Sequence, residues 1–154
     1  MRFLFSFLLI ILITFSSNAI DLNSSSDGLY FKKTLTGNFT EIVDQVKASL
    51  KEQGFGVITE IDMDKKINEK LNTEVKPYKI LGACNPAYAY KTLQINDNIG
   101  VFLPCKVVVK QLDGNKVEVV SVNPSEMMRL MNDEELTRVA EEVSIKLKAV
   151  VDGL

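Results

Sequence analysis

"ILGACNPAYAY", residues 80–90, carries the chain from a strand into a helix and leaves a cysteine at the junction. With Tyr78 and Lys79 before it, the apolar run reads as a strand, "YKILGAC", ending near Cys84. Asn85 is a favoured helix cap and Pro86 suits the first helical position, so "NPAYAYKTLQ" reads as the helix that follows. Within it Pro86, Ala89, Tyr90 and Leu93 are expected to share a face, which turns Tyr90 inward. Cys84 then lies beside unpaired helix-start N–H groups and the positive end of the helix dipole. That setting is one of those that lower a thiol pKa from about 8.5. Three roles stay open for Cys84: a reactive or metal-binding thiol, half of a disulfide, or a small core residue, since free cysteines are among the most buried residue types.

Downstream, "IGVFLPCKVVVKQ" (99–111) is almost continuously apolar and reads as a strand, with Pro104 implying a bulge or a sheet edge. "DGN" (113–115) turns it into a second strand, "KVEVVSV". Upstream, "LYFKKTL" (29–35) reads as a strand. A helix follows, with Asn38 and Glu41 at capping-box spacing, a stripe of Phe39, Ile42, Val43, Val46 and Leu50, and Gly54 as its left-handed end. "FGVITEIDM" alternates, placing Phe55, Val57, Thr59, Ile61 and Met63 on one face and Glu60 and Asp62 on the other. "DKKINEKLN" is a short charged helix. Near the C-terminus Asn123-Pro124 opens "SEMMRLM". A second capping box, Asn132 with Glu135, starts a long helix with a stripe of Leu136, Val139, Ala140, Val143, Leu147 and Val150. Met127, Met128 and Met131 either fill the core or line a soft binding surface.

This order of elements implies an α+β two-layer sandwich, a mostly antiparallel sheet with helices on one face. No internal repeat or linker divides it, so residues 29–152 are expected to form a single domain.

The first residues read differently. Arg2 precedes an apolar run from Phe3 to Phe15, and Ser17 and Ala19 fit a small-x-small cleavage site, so residues 1–19 are expected to be a signal peptide cut near Ala19. An uncleaved anchor competes, but the run is shorter than the roughly 20 residues of a spanning helix. Residues 20–28 read as a flexible lead. Cleavage shortens the chain from 154 to 135 residues and removes Arg2, moving the net charge from −2 to −3. The expected location is periplasmic or secreted, with no membrane contact after cleavage.

Composition narrows the chemistry. Lysines are scattered among acids rather than clustered, which argues against nucleic acid as a partner. The chain has no histidine. That removes Ser-His-Asp and Cys-His pairs, His-ligated zinc and C-x-x-C-H haem attachment. No carboxylate pair sits in apolar context and no Gly-rich phosphate loop is present, so no catalytic residue is assigned and conventional catalysis is not expected.

The second cysteine, Cys105, follows Pro104. If the two strands are neighbours, Cys84 and Cys105 form a disulfide candidate closing a loop of about twenty residues, which contributes about 3 kcal/mol in the chain-entropy model. The same two thiols could instead hold a soft metal such as Cu(I). The helix start at Asn85 also suits a small anionic ligand. No cofactor follows from the sequence.

"GFGVITEIDM", "ILGACNPAYAYKTL" and "VFLPCKVVV" together resemble the bacterial and archaeal domain-of-unknown-function family 302, with its I-L-G-A-C-N-P and L-P-C-x-V-V-V blocks. The resemblance runs from about residue 29 to residue 150. It implies a compact α+β domain similar to the TATA-binding-protein-like fold, a homodimer, and no established activity. Cys84, Asn85, Pro86, Pro104 and Cys105 match its motif positions and form, with Tyr90, the candidate ligand pocket. Tyr90 stands where many members look to have histidine, so a Cys-His site is not available here. Such members also resemble cytoplasmic proteins, so the cysteines are not expected to exist only for an extracytoplasmic disulfide.

Overall fold

The computed structural model describes residues 28–154. The expected signal peptide over 1–19 therefore lies outside the described residues, as does all of the expected flexible lead except Gly28. The elements are β1 (Tyr30–Thr36), α1 (Phe39–Glu52), β2 (Gly56–Asp62), α2 (Met63–Leu71), β3 (Tyr78–Cys84), α3 (Pro86–Ile95), a 3₁₀ turn (Asp97–Phe102), β4 (Cys105–Gln111), β5 (Lys116–Val122), α4 (Pro124–Arg129) and α5 (Glu134–Asp152). Among the described residues no helix is long and apolar enough to cross a membrane.

The caps explain where α1 begins and ends. Asn38 accepts hydrogen bonds from the N–H groups of Thr40 (2.8 Å) and Glu41 (3.3 Å), satisfying two of the donors a helix start leaves unpaired. Gly54, at φ +83°, reverses the chain so that the Phe55 N–H reaches the Leu50 carbonyl at 2.9 Å.

The five strands form one open sheet in the order β1-β5-β4-β3-β2, with every neighbouring pair antiparallel. Leu81, Ala83, Val107, Val109, Val117 and Val119 are buried against Ile42, Val46 and Leu50 of α1 and Leu147 and Val150 of α5. Fully burying a valine or leucine contributes at most about 1.5–3 kcal/mol, so this layer contact holds the fold. It is the expected α+β two-layer sandwich. Half-buried Ile80, Val108 and Val120 lie on the opposite face.

Both sheet edges carry charges turned toward the helix layer. On β1, Lys33 stands between Phe31 and Leu35 and donates to the carbonyls of Asp152 (2.7 Å) and Leu154 (2.5 Å) at the end of α5. A cation suits that end because the helix dipole is negative there. On β2 the strict alternation expected from the sequence fails at Ile58. Val57 pairs with Ala83 and Thr59 with Gly82, so Ile58 is the extra residue of a bulge. The bulge resets the alternation. Glu60 and Asp62 share the helix side with Val57, while Thr59 and Ile61 take the open face. The inward acids pair with Lys47 (Glu60, 2.7 Å) and Lys79 (Asp62, 2.6 Å; Glu60, 3.6 Å).

Three further expectations are corrected. Residues 99–104 are not strand: Asp97–Phe102 is a 3₁₀ turn and the ladder begins at Cys105. Pro104 marks neither an edge nor a bulge, because β4 runs between β3 and β5; the proline precedes the ladder, where its missing N–H costs nothing. The cap of α5 is Asp133, which accepts from Glu135 and Leu136 N–H at 2.9 and 3.0 Å, while Asn132 is the left-handed residue before it at φ +51°.

Candidate functional site

Cys84 ends β3 and Cys105 begins β4, with Cys105 paired to Ala83 in the ladder. The two cysteines are therefore one residue out of register on adjacent strands, and strand alternation turns Cys105, with Ala83, toward the helices and Cys84 toward the opposite face. Both are free thiols, both are half-buried, and both line one cavity of about 70 Å³ between the sheet, α3, α4 and α5. Phe55, Tyr88, Ala89, Thr92, Phe102, Met127, Met128 and Val143 make up much of the rest of its wall. The volume is several times the roughly 10–15 Å³ that one water needs, and the wall offers few polar partners.

The electrostatics differ from the expectation drawn from the helix start. Burial raises the Cys84 thiol above its ordinary pKa instead of lowering it. Desolvation outweighs the dipole because Asn85 uses the helix-start donors itself: its Oδ1 accepts from Ala87 N–H (3.1 Å) and Tyr88 N–H (3.4 Å). Cys105 is pushed up to about 11, first by burial and then by the neighbouring Cys84. Both side chains are neutral thiols at pH 7.

Asn85 also donates from Nδ2 to the Gly54 carbonyl at 2.9 Å, tying the start of α3 to the end of α1. The far wall is fixed by a small polar network. Asn123 Oδ1 accepts from the hydroxyls of Ser125 and Ser144, each at 2.8 Å, and Ser144 Oγ accepts the Ser125 N–H at 2.9 Å. Asn123 thus does not cap α4 with its own side chain. A serine of α5 takes that N–H and locks α4 to α5, which sets Met127 and Met128 on the cavity wall. Met128 is buried, so it packs the core and lines the cavity at once, whereas Met131 is partly exposed.

Of the six residues expected to form the site, Cys84, Asn85 and Cys105 come together at the cavity. Pro86 does what a first-turn proline should and is exposed. Pro104 sits instead over Gly82, where an added Cβ would lie 2.6 Å from Pro104 Cγ and 2.1 Å from Thr59 Oγ1. Tyr90 is not turned inward: it is 67% exposed. The half-buried face of α3 is Tyr88, Ala89, Thr92 and Ile95, displaced by about one residue from the expected stripe. The missed signal is the 85-88-89-92 spacing, which Thr92 obscured. Its hydroxyl can face an apolar cavity because it bonds back to the Tyr88 (3.1 Å) and Ala89 (2.9 Å) carbonyls. Tyr88, which also hydrogen-bonds Glu142 of α5, is the aromatic residue of α3 that lines the site.

Among the described residues no group of three or more His, Cys, Asp or Glu side chains is placed to hold a metal ion. The lining residues include Cys84, Cys105, Met127 and Met128 and, as neutral polar residues, Asn85, Tyr88 and Thr92.

Comparison with curated proteins gives no match. Among solved structures, the crystal structure of a conserved DUF302 protein from Bacillus stearothermophilus superposes with a TM-score of 0.75 at 31% identity, covering 80% of this chain and 96% of that one. The family described as "Domain of unknown function DUF302" matches residues 31–154, a span that includes every strand but the first residue of β1, every helix and both cysteines. The chain belongs to that family.

Proposed function

We propose that this chain is an exported, homodimeric binding module that takes a small ligand into the Cys84/Cys105 cavity. The observation that supports this reading is the cavity itself: about 70 Å³ of apolar, walled space beneath a helix that packs only lightly over it. Close packing normally leaves few voids larger than a water molecule, so a cavity of this size at the family's motif residues suggests an occupant. The space suits a ligand of a few heavy atoms and not a nucleotide or flavin. An anion has weaker support, because Asn85 already occupies the N–H groups it would use. For the homodimer, the half-buried open sheet face with Ile80, Val108 and Val120 is the surface offered to a second copy. Inward charges at both edges disfavour strand-to-strand pairing.

The test is NMR of the reduced protein under xenon pressure and with benzene. Shifts confined to Ala89, Thr92, Cys105 and the methionine methyl groups support the reading; spectra unchanged at saturation reject it. Light scattering on the eluted protein checks the dimer. A second reading, a thiol pair that cycles between dithiol and disulfide, is favoured by the placing of both cysteines at neighbouring ends of adjacent strands. Prolonged exposure to a disulfide oxidant, which would take up the two electrons, with no loss of two hydrogens' mass would exclude it.

A further inference from the structure

A groove of about 180 Å³ lies at one end of the open sheet face, where β1 and β4 begin and β5 ends. Val108 and Val120 line it from the middle strands and Tyr30 from the edge. Phe102, Val122 and Met127 line both this groove and the cavity beneath α3, so the two spaces meet at those three residues. Lys106, in the groove, is the one charged residue lining either space. We propose that groove and cavity form one site for a small amphiphile, an alkyl carboxylate, whose chain passes between Phe102 and Met127 into the cavity while its carboxylate stays beside Lys106.

The two walls sort charge from chain. In the cavity the polar side chains are already paired: Asn85 with the start of α3 and the Gly54 carbonyl, Thr92 with two carbonyls of its own helix, and Tyr88 with Glu142. A carboxylate moved there would lose its hydration and gain no partner. Methylene groups gain from the same surroundings, by about fourfold in affinity for each one buried. At the groove the balance reverses. Lys106 is exposed and donates one N–H to the Pro104 carbonyl at 2.6 Å, which leaves two of its three ammonium donors for a carboxylate. The anion therefore belongs at Lys106 and not at the start of α3, where Asn85 holds the N–H groups.

The partition between the two spaces can yield without disturbing the sheet. Met127 is unbranched and adapts its shape readily. Phe102 is exposed and ends the 3₁₀ turn, which Asn96 joins directly to α3, so movement of that helix carries Phe102 with it. A second copy seated on the open face would roof the groove and leave the path into the cavity unchanged. This inference rests on the cavity being a ligand site, and it adds the class of ligand and the way it lies.

The experiment titrates the full chain with butanoate, hexanoate, octanoate and 1-octanol, reading affinity by calorimetry and position by NMR of the methyl groups. Octanoate is expected to bind once per chain and to shift Ala89, Val122 and Met127, with affinity rising about fourfold per methylene along the acid series. Lys106→Gln should weaken octanoate by about threefold at low salt and leave octanol unchanged. Ala89→Leu, which fills part of the cavity, should flatten the rise with chain length. Lys106 is exposed, so its variant remains informative even if Ala89→Leu fails to fold. Octanoate that binds no tighter than butanoate, shifts neither Ala89 nor Met127, or responds to Lys106→Gln no more than octanol does, overturns the proposal. Xenon and benzene shifts that persist without octanoate binding would leave the cavity reading standing and remove only this ligand.

Discussion

The Asn85 side chain is shared between two elements: its Oδ1 caps α3 while its Nδ2 holds the Gly54 carbonyl at 2.9 Å. Asn85→Ala loses both and should destabilise by about 1–2 kcal/mol. Asn85→Asp keeps the cap but sets a carboxylate against the Gly54 carbonyl. It should fall between wild type and alanine in urea unfolding; an aspartate variant as stable as wild type would show that the Gly54 bond contributes nothing.

Gly82 sits beneath Thr59 and Pro104, and an added Cβ would meet Thr59 Oγ1 at 2.1 Å and Pro104 Cγ at 2.6 Å. Gly82→Ala should cost about 1–3 kcal/mol. Adding Thr59→Ala should recover only part of it, since the proline ring cannot rotate away. Full recovery in a double-mutant cycle would contradict the structure.

The two thiols should label in sequence. Cys105 is pushed up to about 11 and is the more deeply placed, so at pH 8 iodoacetamide should modify Cys84 first. Native-state labelling of Cys105 should accelerate with pH until about 11. A raised folded-state value means the native state holds its proton more tightly. The resulting stability is fully present below the ordinary value of 9.0 and is lost as pH rises toward about 11. Mass spectrometry of timed quenches reads the order.

Asp62 behaves in the opposite sense. Hydrogen bonds from Lys79 and then Lys65 hold its carboxyl down at about 2 against an ordinary 3.8. Its contribution is present above pH 3.8 and disappears as pH falls through about 2. Because the pair is partly solvated, Asp62→Asn should cost less than about 1 kcal/mol at pH 7, and the difference from wild type should vanish near pH 2. Urea midpoints at the two pH values decide this.

Tyr90 and Tyr88 should separate cleanly. Tyr90 is exposed, so Tyr90→His should leave stability within about 0.5 kcal/mol and create no zinc affinity. Tyr88→Phe removes the hydrogen bond to Glu142 and should cost about 0.5–1.5 kcal/mol. Zinc bound tightly by the histidine variant would mean that position 90 does reach the thiols.

What was legible in the sequence were features that act over one turn or one strand: the Asn38 and Asn85 caps, the Gly54 end, the turn around Gly114 and the strand-to-helix junction at Cys84. The bulge at Ile58 left no mark, because one extra residue in an alternating run changes no composition while reversing every face beyond it. Position 90 was misplaced for a similar reason: a shift of one residue turns a helix face by about 100°, and two tyrosines separated by a single alanine gave no contrast that marks Tyr88 as the inward one. The run at 99–104 is apolar because it closes one side of the cavity, and burial against helices looks the same in sequence as burial in a sheet. The meeting of Cys105 with Met127 and Met128 at one cavity depends on how strands and helices pack, which no local pattern encodes.

Not one residue of α3 is fully buried, although the helix covers the cavity. Local opening free energies follow buried contact, so α3 should exchange its amides well before β4, which lies between two strands. Access to the Cys105 sulfur is then a matter of kinetics: whatever enters or leaves waits for the breathing of one helix, while the sheet that holds the cysteine stays closed.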